Sequence, residues 1–173
     1  MNRALSAAWL AVLALAGAAS CGYRLSGAST LPEHVRAIVV MPFENRTNRP
    51  EIEQRVTEEL ADQLTRRGRY SVVTDRESAD AVLEGAITTY RTTPVQFTSE
   101  GRANRVEVIV TIQATLRERV DDTVLWSQAG LIFKEQYDVS TDTAEFFDQE
   151  SVAQDEIARG AAGAVVTSIL EGF

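Results

Sequence analysis

The chain has 173 residues and carries 17 Lys and Arg against 25 Asp and Glu, a formal net charge of -8 at pH 7. That length suits one domain with an appendage, and the acid excess excludes a general nucleic-acid binder, whose phosphate contacts need a basic surface. One His and one Cys exclude an intrachain disulfide framework and a His/Cys zinc cage.

Residues 1–20 read as a secretory signal peptide. Arg3 supplies the positive start, Ala4 to Ala16 is an apolar run, and Gly17-Ala18-Ala19-Ser20 is a small-residue boundary. The run falls short of the ~20 residues that span a bilayer. Cys21, the sole cysteine, follows that boundary directly. Small residues before a Cys are similar to a bacterial lipobox, with Ala18 where Leu is common. The resemblance implies a diacylglycerol on the Cys21 thiol and an N-acyl chain, with no other cofactor. Two or more chains anchor a protein far more firmly than one. Gly22 after the Cys, in place of Asp, points to the outer membrane. Residues 21–34 are the lipidated N-terminus and a tether rich in Gly, Ser and Thr, with one short strand at Tyr23–Leu25.

Residues 35–173 are expected to form a single domain. The β-branched run Val35 to Met41, stopped by Pro42, predicts a buried strand. After a loop, Pro50 suits the first position of a helix, and Glu51 and Glu53 complement its dipole. Ile52, Val56, Leu60 and Leu64 make its apolar stripe, and Gly68 is its C-terminal cap. Tyr70–Val73 is a short strand, Asp75–Ala79 a turn, and Asp80–Arg91 a longer strand in which Gly85 marks a bulge. Val106, Val108, Val110, Ile112, Ala114 and Leu116 alternate with polar residues, the pattern of an antiparallel strand with one buried face. A hairpin at Asp121-Asp122 leads to its partner, Thr123–Tyr137, with Leu125, Ala129, Leu131 and Phe133 inward. Asp138–Asp142 is a loop. Asp148 is the N-cap of a last helix running to about Leu170 with Ile157, Ala161, Val165 and Ile169 buried. The sum is an α+β two-layer sandwich: two helices on one face of a mostly antiparallel sheet of about four strands.

Little in the residues points to bond-making chemistry. His34 is a lone imidazole beside the tether, no G-x-S-x-G elbow or phosphate-cradling glycine loop is present, and acidic residues are scattered over predicted wet faces. The expectation is a protein that is not an enzyme and that holds no metal. Basic residues do gather. Arg46 and Arg49 flank the exit of the first strand, and Arg91, Arg102 and Arg105 bracket the connection Thr92–Ala103, near Val95 and Phe97. Arginine binds phosphate bidentately. These five are candidate contacts for a phosphorylated glycolipid or a partner's acidic surface, and solvated loop arginines remain the bland alternative.

Several segments in order, Cys21-Gly22-Tyr23-Arg24-Leu25, Val40-Met41-Pro42-Phe43-Glu44-Asn45-Arg46-Thr47-Asn48-Arg49-Pro50, Arg67-Gly68-Arg69-Tyr70, Ala79-Asp80-Ala81-Val82-Leu83-Glu84-Gly85, Val124-Leu125-Trp126 and Ile169-Leu170-Glu171-Gly172-Phe173, resemble the LptE family of lipopolysaccharide-assembly lipoproteins. The resemblance covers essentially the whole mature chain. It implies two helices on a sheet of about four strands, held at the periplasmic face of the Gram-negative outer membrane. It also implies a place inside the β-barrel translocon protein LptD, as plug and assembly factor, and binding of lipopolysaccharide. A lipid-anchored module of another envelope complex, of secretion, Tol or curli type, is the alternative from the residues alone. An envelope hydrolase working through surface carboxylates is the third.

Overall fold

A computed structural model describes residues 31–139 and 143–171, without the side chains of 143–151. The signal peptide, Cys21 and the strand expected at Tyr23–Leu25 lie outside the described residues. Among the described residues there are six strands, β1 (Ala37–Val40), β2 (Glu44–Asn45), β3 (Ser71–Val73), β4 (Ala81–Phe97), β5 (Ala103–Glu118) and β6 (Val124–Asp138), and two α-helices, α1 (Ile52–Arg66) and α2 (Thr143–Glu171). They form one sheet in the order β3-β1-β4-β5-β6, and β2 joins it alongside β4. The long strands β4, β5 and β6 pair antiparallel, and the short strands β1, β2 and β3 add to them in parallel. The two-layer α+β architecture is the one the patterning predicts; beyond the strands read from the sequence, β3 at Tyr70–Val73 among them, the sheet gains β2, whose two residues are too few to carry a period-two signal.

Both helices cover one face. The α1 stripe Ile52, Val56, Leu60 and Leu64 is fully buried, as are Ile157, Ala161, Val165 and Ile169 of α2. They close on Ile38, Leu83, Ile87 and the even-numbered residues Val108 to Leu116 of β5. The helices run parallel, with facing residues about one hundred apart in sequence. Arg55 pairs with Asp155, Arg159 lies 3.6 Å from Glu59, and Gln63 Nε2 donates to the Arg159 carbonyl at 2.7 Å.

Several boundaries differ from the sequence reading, each for a local reason. α1 starts at Ile52, because Glu51 has φ 65° and so precedes the helix; Pro50 is not its first residue. Gly68 does close it, at φ +67°, the left-handed conformation that favours glycine. α2 is already helical at Thr143, so Asp148 is an interior position and not the cap. Leu31 is buried in the main core, so packing begins inside the segment read as tether. Gly85 makes no bulge: it pairs regularly with Ala114, and the register shift comes between Ile87 and Thr89. Glycine is needed at 85 because a Cβ there would lie 2.4 Å from the Gln113 carbonyl oxygen and 2.6 Å from the Phe43 ring. β6 carries two register shifts, one beside Leu125 and one at Ala129-Gly130. Each moves later residues to the opposite face. Trp126 is therefore inward, its Nε1 donating to Ser168 Oγ at 3.3 Å, and Ala129 is exposed, while Leu131 and Phe133 pack inward as predicted.

Candidate functional site

The connection expected at Thr92–Ala103 is largely strand. β4 runs to Phe97, β5 begins at Ala103, and the turn between them is closed by Thr98 N–H donating to the Arg102 carbonyl at 2.8 Å. Thr, Val and Phe favour strand. Pro94 is tolerated because β2 pairs with β4 only at Ala86 and Ile87, so among the described residues the outer side of β4 has no strand beside it beyond them.

Among the described residues, both helices lie on one face of the sheet and this long hairpin extends the other face, which they leave uncovered. Register places side chains there in rows across three strands. One row is Thr89, Thr111 and Ile132; the next is Arg91, Ile109 and Lys134; then Thr93, Glu107 and Gln136; then Gln96, Arg105 and Asp138. Arg91 and Lys134 are exposed and form no ion pair among the described residues. They stand two strands apart, about 10 Å at the usual spacing between strands, on either side of half-buried Ile109. Their long side chains can converge on one anionic group above it. The other cations of this face are occupied. Arg105 Nε donates to Asp138 at 2.7 Å, and Arg117 lies 3.7 Å from Glu84 and 3.5 Å from Asp122. The hydrogen bond between Arg105 and Asp138 raises the pKa of the guanidinium and holds the carboxyl below its ordinary value.

The five arginines singled out in the sequence therefore separate. Arg91 and Arg105 share the open face, and Arg102 sits in the hairpin tip. Arg46 bonds Glu44 through Nε at 2.8 Å. The Arg49 guanidinium lies 5.7 Å over the ring of Tyr90, which packs against the core on the helix side, away from Arg91. Lys134, the only lysine in the chain, was not singled out. Its place opposite Arg91 depends on the slip at Ala129-Gly130, which alternation alone does not reveal.

The junction carrying Arg46 and Arg49 is rigidly tied. Asn45 Nδ2 donates to the Arg49 carbonyl and to Glu53, both at 2.7 Å, while its Oδ1 accepts from the backbone and hydroxyl of Thr47 at 2.9 and 2.8 Å. His34 Nε2 is 2.8 Å from Glu118 Oε1 at the opposite end of the sheet. A groove of about 620 Å3 beside α1 and α2 is lined by Glu51, Glu58, Glu59, Asp62 and Asp155 with Arg55, the wrong sign for a phosphate. Among the described residues, no three His, Cys, Asp or Glu side chains are grouped to hold a metal ion, and no helix is long and apolar enough to cross a membrane. Cys21 lies outside the described residues.

The family model described as "LptE: Lipopolysaccharide-assembly" matches residues 35–169. No curated protein matches the chain in sequence. Among solved structures, the fold is similar to lipoprotein B from Nitrosomonas europaea, with a TM-score of 0.56 at 13% identity over 86% of this chain and 90% of that one. It is also similar to a lipoprotein from Caulobacter crescentus, with a TM-score of 0.51 at 15% identity over 74% and 87%. The rare lipoprotein B from Shewanella oneidensis has a TM-score of 0.50 at 13% identity over 73% and 92%. At these identities the likeness is one of fold.

Proposed function

The chain belongs to the LptE family of lipopolysaccharide-assembly proteins, and on that premise we propose that it is an outer-membrane lipoprotein that plugs the barrel translocon LptD and binds lipopolysaccharide on its open sheet face. Cys21 carries the lipid anchor at the periplasmic face of the membrane. The work is done by fit and charge, and no bond of the cargo is made or broken. The observation that carries the binding half is the row Arg91, Ile109 and Lys134: two cations without an ion pair among the described residues, flanking an aliphatic side chain. A phosphorylated sugar meets positive charge there without displacing an internal partner. At Arg105 it would first have to break the bond to Asp138. The plug half is supported by the character of the surface. A wide barrel lumen is polar, and the open face presents Thr, Gln, Glu and Arg along its length.

The reading is tested on the full lipidated chain purified in mild detergent. A large outer-membrane barrel is expected to come down with it, and Arg91→Glu with Lys134→Glu is expected to lower lipopolysaccharide binding at least tenfold without a change in melting temperature. Recovery of a different envelope complex in place of the barrel would overturn the plug. Undiminished binding by the double variant would overturn the site.

A further inference from the structure

We propose that the tip of the β4–β5 hairpin, with Val95 and Phe97 exposed beside Arg102, receives the acyl chains of the same glycolipid whose phosphates meet Arg91 and Lys134. This rests on the open-face reading above and names what the far end of that site does.

Large exposed apolar side chains are few among the described residues. Val95 is 45% and Phe97 58% exposed, and they stand two residues apart on one strand. Val120 and Val124 lie at the opposite end, around the β5–β6 turn, and Ile132 sits in the row next to Arg91. Residues 91–97 are exposed throughout, so the tip projects beyond the core. Two register shifts, between Pro94 and Gln96 and between Gln96 and Phe97, fall on this segment. Bulges of this kind re-aim side chains. They fall on the segment that carries these two exposed apolar groups.

Distance supports one ligand lying along the hairpin. From Arg91 to Phe97 the strand advances roughly 20 Å at its usual rise. One leaflet of hydrocarbon is about 15 Å deep. A phosphate held at the Arg91 row therefore leaves room for an extended acyl chain to reach the tip. Charge favours a single amphiphile over a flat anionic bilayer. Around the tip, Arg102 and Arg105 are matched by Glu100, Glu107 and Asp138, so a uniform negative surface gains little there. A molecule with phosphate at one end and hydrocarbon at the other meets complementary groups at both.

In cells, a photoreactive benzophenone side chain placed at position 97 in the full chain is expected to yield adducts with acylated glycolipid, attached through acyl carbon, while one at position 120 yields none. Purified full chain with Val95→Ser and Phe97→Ser is expected to bind intact lipopolysaccharide about tenfold more weakly and the deacylated phosphorylated sugar as tightly as the parent. Arg91→Glu with Lys134→Glu should weaken both. A tip variant that binds both forms like the parent overturns this inference and leaves the headgroup site standing. A cation variant that binds both like the parent overturns the open-face reading and the inference with it. Adducts at 97 that carry only protein, or equal loss of binding to phospholipid vesicles free of glycolipid, assign the tip to another contact and overturn the proposal.

Discussion

Gly85→Ala adds a single methyl group at the place where the strand–helix junction is pinned to the sheet. In most strand positions that change is favourable by about 0.4–1 kcal/mol, because alanine narrows the unfolded ensemble. Here the new Cβ would stand 2.4 Å from the Gln113 carbonyl oxygen and 2.6 and 2.9 Å from two carbons of the Phe43 ring. The ring can tilt, but Phe43 is only 3% exposed and has little free volume to enter. The carbonyl belongs to the backbone of β5, which is held on both sides by β4 and β6. Overpacking of this kind costs about 1–3 kcal/mol, and with backbone on one side the upper part of that range applies. The net expectation is a loss of about 2 kcal/mol, or a drop in Tm of roughly 8 °C for a domain of this size. Thermal unfolding by circular dichroism, on chain carrying Cys21→Ser to keep it soluble, reads the change. Phe43→Leu removes the ring atoms, so Gly85→Ala should cost less in that background and still cost something, because the carbonyl contact remains. A neutral or stabilising Gly85→Ala refutes the reasoning outright. Equal costs in both backgrounds, additive within about 0.5 kcal/mol, refute the role given to the Phe43 ring.

Leu60→Asp buries a carboxylate in the fully enclosed α1 stripe and is expected to abolish the cooperative unfolding transition; a melting curve like the parent's would mean that the α1 face is assigned wrongly. Asp80 accepts the backbone N–H groups of Ala37 at 2.8 Å and Arg36 at 2.9 Å, and these bonds hold its carboxyl below the ordinary aspartate value. A depressed folded-state pKa stabilises fully above the unfolded value and is lost as pH falls through the folded one. Asp80→Asn should therefore cost about 1 kcal/mol at neutral pH, with the gap to the parent closing in denaturant titrations taken below pH 4; a gap constant from neutral to acid pH contradicts the assignment. Cys21→Ser should leave the melting temperature unchanged and release the chain from membranes that lack the proposed barrel. Retention there would reveal a second anchor.

The helical stripes and β5 were legible because each has one buried face, and burial on one face writes a clean period into the sequence. The α1 residues Ile52, Val56, Leu60 and Leu64 and the β5 run Val106 to Leu116 are buried as their spacing predicts. Legibility failed where the ladder slips. The extra residues of β6 at Leu125 and near Gly130 reverse the alternation twice. A fixed parity therefore misplaces Trp126 and Ala129, and it gives Lys134 the right face while the two slips decide which row it joins. It failed also where structure is made by a distant partner. β2 is two residues long and exists because Phe43 seats on Gly85, and the hairpin tip reads as loop because neither of its faces is buried. Of the candidate arginines, Arg91 and Arg105 share the open face, while Arg49 leaves on the helix side over Tyr90 and Arg46 is held by Glu44.

The hundred-residue offset between the paired helices sets a timetable for maturation. α1 cannot complete its roof over the sheet until α2, the last element, has crossed into the envelope and docked beside it. Contacts of such long sequence separation are slow to form. Until then the aliphatic row of β5 stays naked to water and to neighbouring chains. A chain made amino end first thus leaves that row uncovered until α2 follows, and truncation within α2 should be as damaging to folding as loss of α1.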